Sequence, residues 1–477
     1  MIRKYLVPIL LILFIASCEF GPFVNITIYH TNDVHGWIYP REVMLEDSSR
    51  AERGGFAVAA NYLKNAPGPY LLVDAGDLFQ GTPEGNLTFG ESTVEIMNAM
   101  NYDLVTPGNH EFDFGFQKFF RLDSLADFPF ICSNVIDTST GEPLSIFEPY
   151  KILEINGIKV GFFGLLTQLT QSMSDWDYPE AIITNPVETA NRIVPQLRKE
   201  GAQIIIALTH LGFGETEKEE EEETIYMGDI YLAKNTSGID IIIGGHSHTT
   251  LEHGYHPEGS RTFIVQTGAY LSNLGKLSIK YNQGKNRISS IKETLIPLWV
   301  EHIGKDARID SIVEKYLKIV GQQMDLVIGE ATMNIERHQK ETPESPLGNW
   351  ITDVMREWAD ADIAFQNSGG IREDILKGPI TIRNIYTICP FDNSLVTMEL
   401  SGKQLRELME FTLAHEYGAL QISGMSVKYD PEAPDTERVV EILVEDEPLV
   451  DSLYYDIVTN SFLANGGEGY RIFGEGR

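Results

Sequence analysis

Five short apolar, β-branched segments in the first 250 residues are each followed directly by side chains that can bind a metal ion. Segments of this kind predict buried strands. The segments are residues 26–29, 70–73, 103–106, 204–208 and 239–243, and the side chains that follow them include Asp33 and His35, Asp77, Asn109 with His110 and Asp113, His210, and His246 with His248. Stretches of helical period, such as residues 186–199, separate the segments, so the sequence predicts a layered α/β domain.

The position of these side chains predicts a single site. In open α/β sheets, sites form beyond the carboxyl ends of the strands, so the five clusters should meet at one edge. Carboxylate, amide and imidazole donors without thiolate suit hard or borderline divalent cations, and they do not distinguish Zn, Mn, Co and Fe. One carboxylate can bridge two such ions about 3.5–4 Å apart. We expect the glycines at positions 76, 108, 244 and 245 to let the backbone turn sharply after each strand.

The chain is long enough for more than one domain, because a single hydrophobic core stops growing well before 477 residues. Near residue 305 the pattern changes, and apolar residues at helical spacing over 307–323 predict a connecting helix. A strand at 395–400 and a helix at 403–414 indicate a separate second domain. The expected division is a signal peptide at 1–17, a first domain at 25–305, a connecting helix at 306–325 and a second, smaller domain at 326–477.

The N-terminus has the features of a bacterial lipoprotein leader. A charged start at residues 1–4 precedes an apolar stretch at 5–16, which is shorter than the roughly 20 residues of a membrane-spanning helix. The stretch ends in Ile-Ala-Ser-Cys, which resembles a lipobox and predicts that Cys18 carries a lipid anchor. Cys132 and Cys389 cannot build a disulfide framework, so we expect two small buried hydrophobic side chains. The predicted location is extracytoplasmic, with the membrane contacted through the anchor only.

The charge of the chain excludes one class of partner. Lys and Arg total 37 against 69 Asp and Glu, a formal net charge of −32. A nucleic acid polymer is therefore not an expected partner, because its backbone is bound mainly through a basic surface. A small phosphate ester can still bind to metal ions or to a few local arginines.

The motifs together resemble the 5′-nucleotidase family over nearly everything after residue 24. They are DVHG at 33–36, GDLFQGT at 76–82, GNHEFD at 108–113, TH at 209–210, GGHSHT at 244–249, NSGGIR at 367–372, PFDN at 390–393 and NSFLANGGEG at 460–469. The resemblance implies an α/β fold with a four-layer α/β/β/α dinuclear metallophosphatase domain. A smaller α/β substrate-binding domain follows it, joined by a helix.

The resemblance also implies a role for each motif residue. One divalent metal ion would be held by Asp33, His35 and His248, the other by Asn109, His210 and His246, with Asp77 bridging the two. A hydroxide made available by the two cations would attack phosphorus in line. The matching catalytic pair is His110, which stabilises the transition state or protonates the leaving oxygen, and Asp113, which orients the His110 ring.

On the substrate side, the family places two aromatic rings around the base, at positions matching Phe391 and Phe462. Asn367 and Arg372 would bind the phosphate or an adjacent group. Glu468 stands where the family's ribose-binding residue is usually aspartate. The family also has an arginine before the Glu-Ser pair at 344–345, where this chain has proline. That anion contact is either missing or supplied by Arg337 or Lys340.

The expected function is extracytoplasmic hydrolysis of nucleoside 5′-monophosphates to nucleoside and phosphate. The same chemistry on 2′,3′-cyclic nucleotides, nucleotide sugars or sugar phosphates is the nearest alternative. An adhesive or ligand-binding surface lipoprotein without catalysis is a more remote one, and the filled ligand and catalytic positions argue against it.

Overall fold

The computed structural model describes residues 23–45, 49–214, 217–218, 225–337, 344–391, 393–414 and 420–477. The expected signal peptide, Cys18 and Lys340 lie outside these residues. The described chain forms two compact units, the first from residues 23–78, 93–218 and 225–312, the second from residues 79–92 and 313–477. No helix among the described residues has both the length and the apolar character needed to cross a bilayer.

Two five-stranded sheets organise the described part of the first unit. In spatial order, the strands of one sheet are Arg287–Pro297, Asn273–Asn282, Phe23–Thr31, Leu71–Asp74 and Leu104–Val105, and those of the other are Phe263–Val265, Ile241–Gly244, Ile204–His210, Ile158–Leu166 and Tyr150–Ile155. The helices that accompany them are Phe56–Lys64, Glu91–Met100, Gly115–Leu125, Thr170–Met173, Pro186–Lys199, Asp229–Asn235 and Val300–Ile303. Short strands pair as Arg41–Met44 with Arg50–Arg53, Val135–Asp137 with Ala181–Ile183, and Glu217–Lys218 with Ile225–Tyr226.

The two sheets face each other across an apolar core. Ile28 and Val73 of one sheet pack in the same buried cluster as Ile206 and Ile243 of the other. The outer face of the second sheet packs against the helices Pro186–Lys199 and Asp229–Asn235. On the outer face of the first sheet, Tyr29 meets Tyr62 of the helix Phe56–Lys64 edge to face. The four-layer α/β/β/α arrangement predicted from the resemblance is confirmed.

The second unit is a smaller α/β structure. Its described sheet has the strand order Leu395–Ser401, Tyr454–Asn460, Ile363–Asn367 and Leu420–Ser423. Phe365 faces the helix Gly402–Ala414, whereas Ala364 packs with Met355 of the helix Pro346–Ala359, as the two-residue period of a strand requires. The remaining elements are the helices Pro83–Asn86, Ile382–Ile388 and Ser461–Ala464, and the strands Val327–Ala331, Gly378–Thr381, Met425–Tyr429, Val439–Val444 and Glu447–Pro448.

A helix spans Ala307–Met324, in the region where the sequence predicts a connecting helix. The cysteines follow the prediction only in part. Cys132 is buried, as expected. Cys389 is exposed, because it lies at the C-terminal cap of the short helix Ile382–Ile388 and not inside it.

Candidate metal centre

Parallel pairing places the predicted metal ligands at one edge of the first unit. The strand Phe23–Thr31 runs parallel to Leu71–Asp74, and Ile204–His210 runs parallel to Ile241–Gly244. The carboxyl ends of each pair therefore point the same way. The seven side chains that these ends and the adjacent loops carry are Asp33, His35, Asp77, Asn109, His210, His246 and His248.

The first group of donors is Asp33, His35 and His248. The Nε2 atoms of the two imidazoles face each other at 2.9 Å. Asp33 Oδ1 lies 3.5 Å from Nε2 of His248 and 4.0 Å from Nε2 of His35. Metal–ligand bonds of about 2.0–2.2 Å place the ligand atoms of one ion roughly 3–4 Å apart, so these three atoms fit around a single cation.

The second group of donors is Asp77, Asn109, His210 and His246. Asp77 Oδ2 lies 3.0 Å from His210 Nε2, and Asn109 Oδ1 lies 2.9 Å from His246 Nδ1. The other nitrogen of His210, Nδ1, donates to the backbone oxygen of Ala75 at 2.7 Å. That bond directs the Nε2 lone pair of a neutral His210 toward the other donors, as is usual for histidine ligands of metals.

Asp77 lies between the two groups. Its Oδ2 atom lies 3.7 Å from His35 Nε2 as well as 3.0 Å from His210 Nε2. A single carboxylate between two donor groups is the arrangement that bridges a pair of divalent ions. The donor set contains no thiolate and fits hard or borderline cations.

The backbone is strained at these ligands. Positive φ angles are uncommon outside glycine and are concentrated at functional sites. Among the seven predicted ligands they occur at Asp33, His35, Asp77, His246 and His248. Five of the seven predicted ligands thus share a backbone conformation that is uncommon outside glycine.

Of the four glycines that were expected to allow sharp turns after the strands, only Gly76 has a positive φ, of 92°. Gly108, Gly244 and Gly245 do not, and they are needed for close approach instead. A Cβ atom on Gly108 would collide with the Asp77 carboxylate, and one on Gly245 would lie 2.9 Å from both Ala75 O and His210 Nδ1.

The burial and pKa values of the predicted ligands also favour a cation bound between them. Burial raises the pKa of Asp33. Burial also acts to raise the pKa of Asp77, but the charges of His210 and His110 outweigh it and hold that pKa below its usual range. Burial opposes charge on His210, yet the neighbouring Asp77 raises its pKa to about 10. Enclosed acids of this kind need a compensating positive charge, which a divalent ion supplies when bound.

Three further acidic or amide side chains hold the ligands in place, and none of them was among the predicted site residues. Glu111 is fully buried and accepts hydrogen bonds from the backbone N–H groups of Asp77, Leu78 and Gly108 at 2.6–2.9 Å. Asn32 donates to Asp33 Oδ2 at 2.6 Å, and Asp229 accepts from Thr209 Oγ1, next to His210, at 2.6 Å. The sequence feature that could have pointed to Glu111 is its position inside the GNHEFD motif.

The Glu111→Gln variant tests whether Glu111 holds the predicted metal ligands in place. We expect Glu111→Gln to destabilise the protein by about 2–3 kcal/mol, because an amide replaces a buried carboxylate that accepts three backbone hydrogen bonds. We also expect about tenfold to hundredfold weaker metal binding, as for other outer residues of metal sites. Chemical denaturation and metal titration measure the two effects. The exposed Glu142→Gln variant is the control, and an unchanged unfolding free energy at position 111 would refute the role.

His110 and Asp113 lie beside the two donor groups. His110 Nδ1 donates to Asp113 Oδ2 at 2.6 Å, and the backbone N–H of His110 donates to Asp77 Oδ1 at 3.0 Å. The His110 ring lies 5.3 Å from that of His35, and it belongs to a third possible ligand group with His35 and Asp77. The pair is thus positioned for proton transfer next to the metal ligands. Phe112, in the same turn, is fully buried.

The predicted substrate residues lie in the second unit. Asn367 Nδ2 donates to Glu468 Oε1 at 2.8 Å, whereas Oε2 of Glu468 is enclosed and accepts no hydrogen bond from the described residues. Burial raises the pKa of Glu468 to about 7. Arg372 has its guanidinium carbon 5.8 Å from the centre of the Phe391 ring.

Phe391 and Phe462 are both partly buried, and Phe462 packs against the core of the second unit. Their loops are tied together by Asn393, whose Oδ1 accepts from the Ser461 hydroxyl at 2.9 Å and from the Phe462 N–H at 3.2 Å. Arg337 Nη1 donates to Ile371 O at 3.0 Å, which places this arginine against the loop that carries Arg372. The structure thus brings one of the two candidate replacement cations to the predicted phosphate-binding loop.

Comparison with known proteins adds independent findings. Residues 26–250 match the calcineurin-like phosphoesterase family, and residues 327–475 match the 5′-nucleotidase C-terminal domain. The crystal structure of a 5′-nucleotidase precursor from Thermus thermophilus is 31% identical, covers 95% of this chain and 93% of that chain, and has a TM-score of 0.84.

Among curated relatives, Endonuclease YhcR of Bacillus subtilis is 30% identical over 94% of this chain, and a 5′-nucleotidase of Diplobatis ommata is 29% identical over 95% of it. The chain spans 84% of the length of the Diplobatis protein but only 38% of the length of YhcR.

Proposed function

The chain belongs to the 5′-nucleotidase family, and we propose that it is a metal-dependent phosphoesterase that hydrolyses nucleoside 5′-monophosphates to nucleoside and phosphate. The membership confirms the resemblance seen in the motifs. The observation that carries the proposal is the pair of donor groups joined by Asp77, with Oδ2 of this residue 3.0 Å from His210 Nε2 and 3.7 Å from His35 Nε2.

The proposed ligands are Asp33, His35 and His248 for one ion, Asn109, His210 and His246 for the other, and Asp77 for both. When bound, two divalent ions activate a water for attack and neutralise charge on the phosphoryl oxygens. The chain itself fixes the geometry, because the strained backbone and the buried Glu111 hold the ligands before substrate arrives.

His110 is the proposed catalytic acid. Its Nδ1–H donates to Asp113 Oδ2 at 2.6 Å, and Nε2 is the atom proposed to donate to the leaving oxygen of the nucleoside. Asp113 is the positioning residue, because its hydrogen bond fixes the ring and favours the charged imidazolium.

The proposed contacts of the nucleoside come from the second unit. Glu468 is proposed to accept a ribose hydroxyl, and its partner Asn367 holds the carboxylate in place. Arg372 and Asn367 are proposed to bind the phosphate or an adjacent group, with Arg337 supplying the contact that the family usually takes from an arginine before the Glu-Ser pair. The rings of Phe391 and Phe462 are proposed to stack on the base.

The stacking role has a specific expected result. Phe391→Ala or Phe462→Ala should lower kcat/KM for AMP by about tenfold to a hundredfold, because stacking of a base on an aromatic ring is worth roughly 1–3 kcal/mol. Turnover of p-nitrophenyl phosphate, which lacks a base, should change far less. The exposed Tyr454→Ala variant controls for loss of an aromatic ring in the same unit. Equal losses on both substrates would show that the two phenylalanines only pack in the core.

We further propose that the protein works outside the cytoplasm, attached through a lipid on Cys18. The support is the leader at 1–17 and its Ile-Ala-Ser-Cys ending. Globomycin treatment or Cys18→Ala should leave the full-length protein unprocessed or release it from the membrane fraction. Cys132→Ala is the matched control. Processing and fractionation that do not change in the Cys18 variant would contradict the anchor.

A panel of esters tests the substrate. Steady-state rates of the metal-loaded soluble form should be highest on nucleoside 5′-monophosphates. Greater kcat/KM on 2′,3′-cyclic nucleotides, nucleotide sugars or sugar phosphates would keep the metal chemistry and overturn the proposed substrate.

A further inference from the structure

We propose that Gln266 is a positioning residue that fixes the loop at 245–249 and thereby sets the affinity for both metal ions together. The inference rests on the proposed function, because it concerns the same metal centre. Gln266 lies outside the sequence motifs and directly follows the strand Phe263–Val265.

The loop at 245–249 carries one predicted ligand of each donor group. His246 belongs to the second group, and its Nδ1 lies 2.9 Å from Asn109 Oδ1. His248 belongs to the first group, and its Nε2 lies 2.9 Å from that of His35. A shift of this loop therefore moves a ligand of both ions at once.

The side-chain amide of Gln266 holds this loop at three points. Its Oε1 accepts hydrogen bonds from the N–H of Thr249 at 2.5 Å and from the hydroxyl of Ser247 at 3.1 Å. Its Nε2 donates to the backbone oxygen of Gly245 at 2.9 Å. The three contacts span the loop from its first residue to its last, and the two histidines lie between them.

Gln266 is itself enclosed and fixed. It is fully buried, and its backbone oxygen accepts from the N–H of Leu251 at 3.1 Å. A Cβ atom on Gly244 would lie 3.3 Å from Gln266 Nε2, so the glycine leaves room for the amide. Because a buried amide that loses its partners costs free energy, the amide and the loop hold each other in one position.

The loop needs such contacts, because its backbone is strained. His246 and His248 have φ angles of 80° and 53°. Residues other than glycine persist in this region only where the surrounding structure imposes it. The bonds to Gln266 lie on both sides of each strained histidine. Without these bonds, we expect both imidazoles to move away from the other donors of their groups.

Titration of the metal-free full chain with Co²⁺ tests the proposal. Co²⁺ suits the donor set, and its visible absorption reports binding without turnover. Wild type would be compared with Gln266→Met, which keeps the length of the side chain and removes its amide. Thermal unfolding of the metal-free proteins would measure the stability of each variant separately.

Gln203→Met is the matched control. The amide of Gln203 also bonds in both directions, since it accepts from the N–H of Lys159 at 3.1 Å and donates to the hydroxyl of Tyr281 at 3.4 Å. It lies just before the strand Ile204–His210, at the end opposite to the predicted ligand His210. A change in stability alone is therefore expected in this variant, with wild-type affinity for Co²⁺.

We expect Gln266→Met to weaken the binding of both Co²⁺ ions by about tenfold to a hundredfold, as for other outer residues of metal sites. Excess metal should restore most of the kcat on AMP, because the loss lies in metal binding. Ser247→Ala is a milder variant at an exposed position. It removes one of the three bonds and should weaken both ions by about threefold to tenfold.

Affinities for both ions within twofold of wild type in Gln266→Met would overturn the proposal, and so would a loss confined to one ion. If Gln266→Met does not fold, affinities within twofold of wild type in Ser247→Ala are the result that overturns it. If wild type binds two Co²⁺ ions but does not hydrolyse AMP, the proposed function fails, and the comparison of affinities still decides the role of Gln266. Wild type that does not bind two ions would overturn both.

Discussion

Replacing Asp77 with asparagine is expected to lower kcat on AMP by about a thousandfold or more, and to reduce the amount of divalent metal bound. Asp77 lies between the two donor groups, since its Oδ2 lies near Nε2 of both His35 and His210. The neutral amide removes the negative charge that holds two cations together, and metal ions contribute several kcal/mol to the stabilisation of such transition states.

Steady-state kinetics with elemental analysis on the same samples measures both effects. Asp127→Asn, at an exposed position of the same unit, is the control and should retain full activity. Wild-type turnover by the Asp77 variant with undiminished metal content would contradict the bridging role.

Replacing His110 with glutamine is expected to lower kcat on AMP by about a hundredfold to ten-thousandfold, the usual contribution of a general acid. The loss should be much smaller on p-nitrophenyl phosphate, because p-nitrophenolate leaves readily without a proton whereas the 5′-oxygen of a nucleoside does not. Metal content should remain that of wild type, which separates proton donation from the alternative of metal ligation suggested by the closeness of His110 to His35 and Asp77.

The exposed His253→Gln variant is the control for a histidine change in the same unit. An equal loss on both substrates would show that His110 stabilises charge and does not donate the proton. Loss of metal from the His110 variant would show instead that it is a ligand.

The sequence was sufficient to predict the layered fold and to mark the Asp, Asn and His side chains that lie close together in the structure, because both depend on local patterns. Strand-like segments followed by Asp, Asn and His residues specify which side chains lie at the ends of parallel strands. The helix Pro186–Lys199 has the predicted bounds for a similar reason: Asn185 caps its start by accepting hydrogen bonds from the N–H groups of Val187 and Glu188.

The contacts that support the site depend on residues far apart in the chain, and no local pattern reveals them. Glu111 reaches back 34 residues to the Asp77 backbone, and Tyr270 bonds to the backbone of Asp33 from more than 200 residues away. The left-handed backbone at Asp33, His35 and Asp77 was equally hidden, because a positive φ is uncommon outside glycine and no local pattern marks which residues adopt it. The role of Gly108 was misjudged for the same reason, since only the packed structure shows the Asp77 carboxylate against it.

Titration of metal-free protein with Mn²⁺ or Zn²⁺, while phosphate release from AMP is followed, shows whether turnover depends on two bound ions. We expect no turnover without metal, and activity that rises until two ions are bound per chain, as counted by elemental analysis. Full activity in protein shown to be free of metal, or saturation at one ion per chain, would contradict a site built from two donor groups that share Asp77.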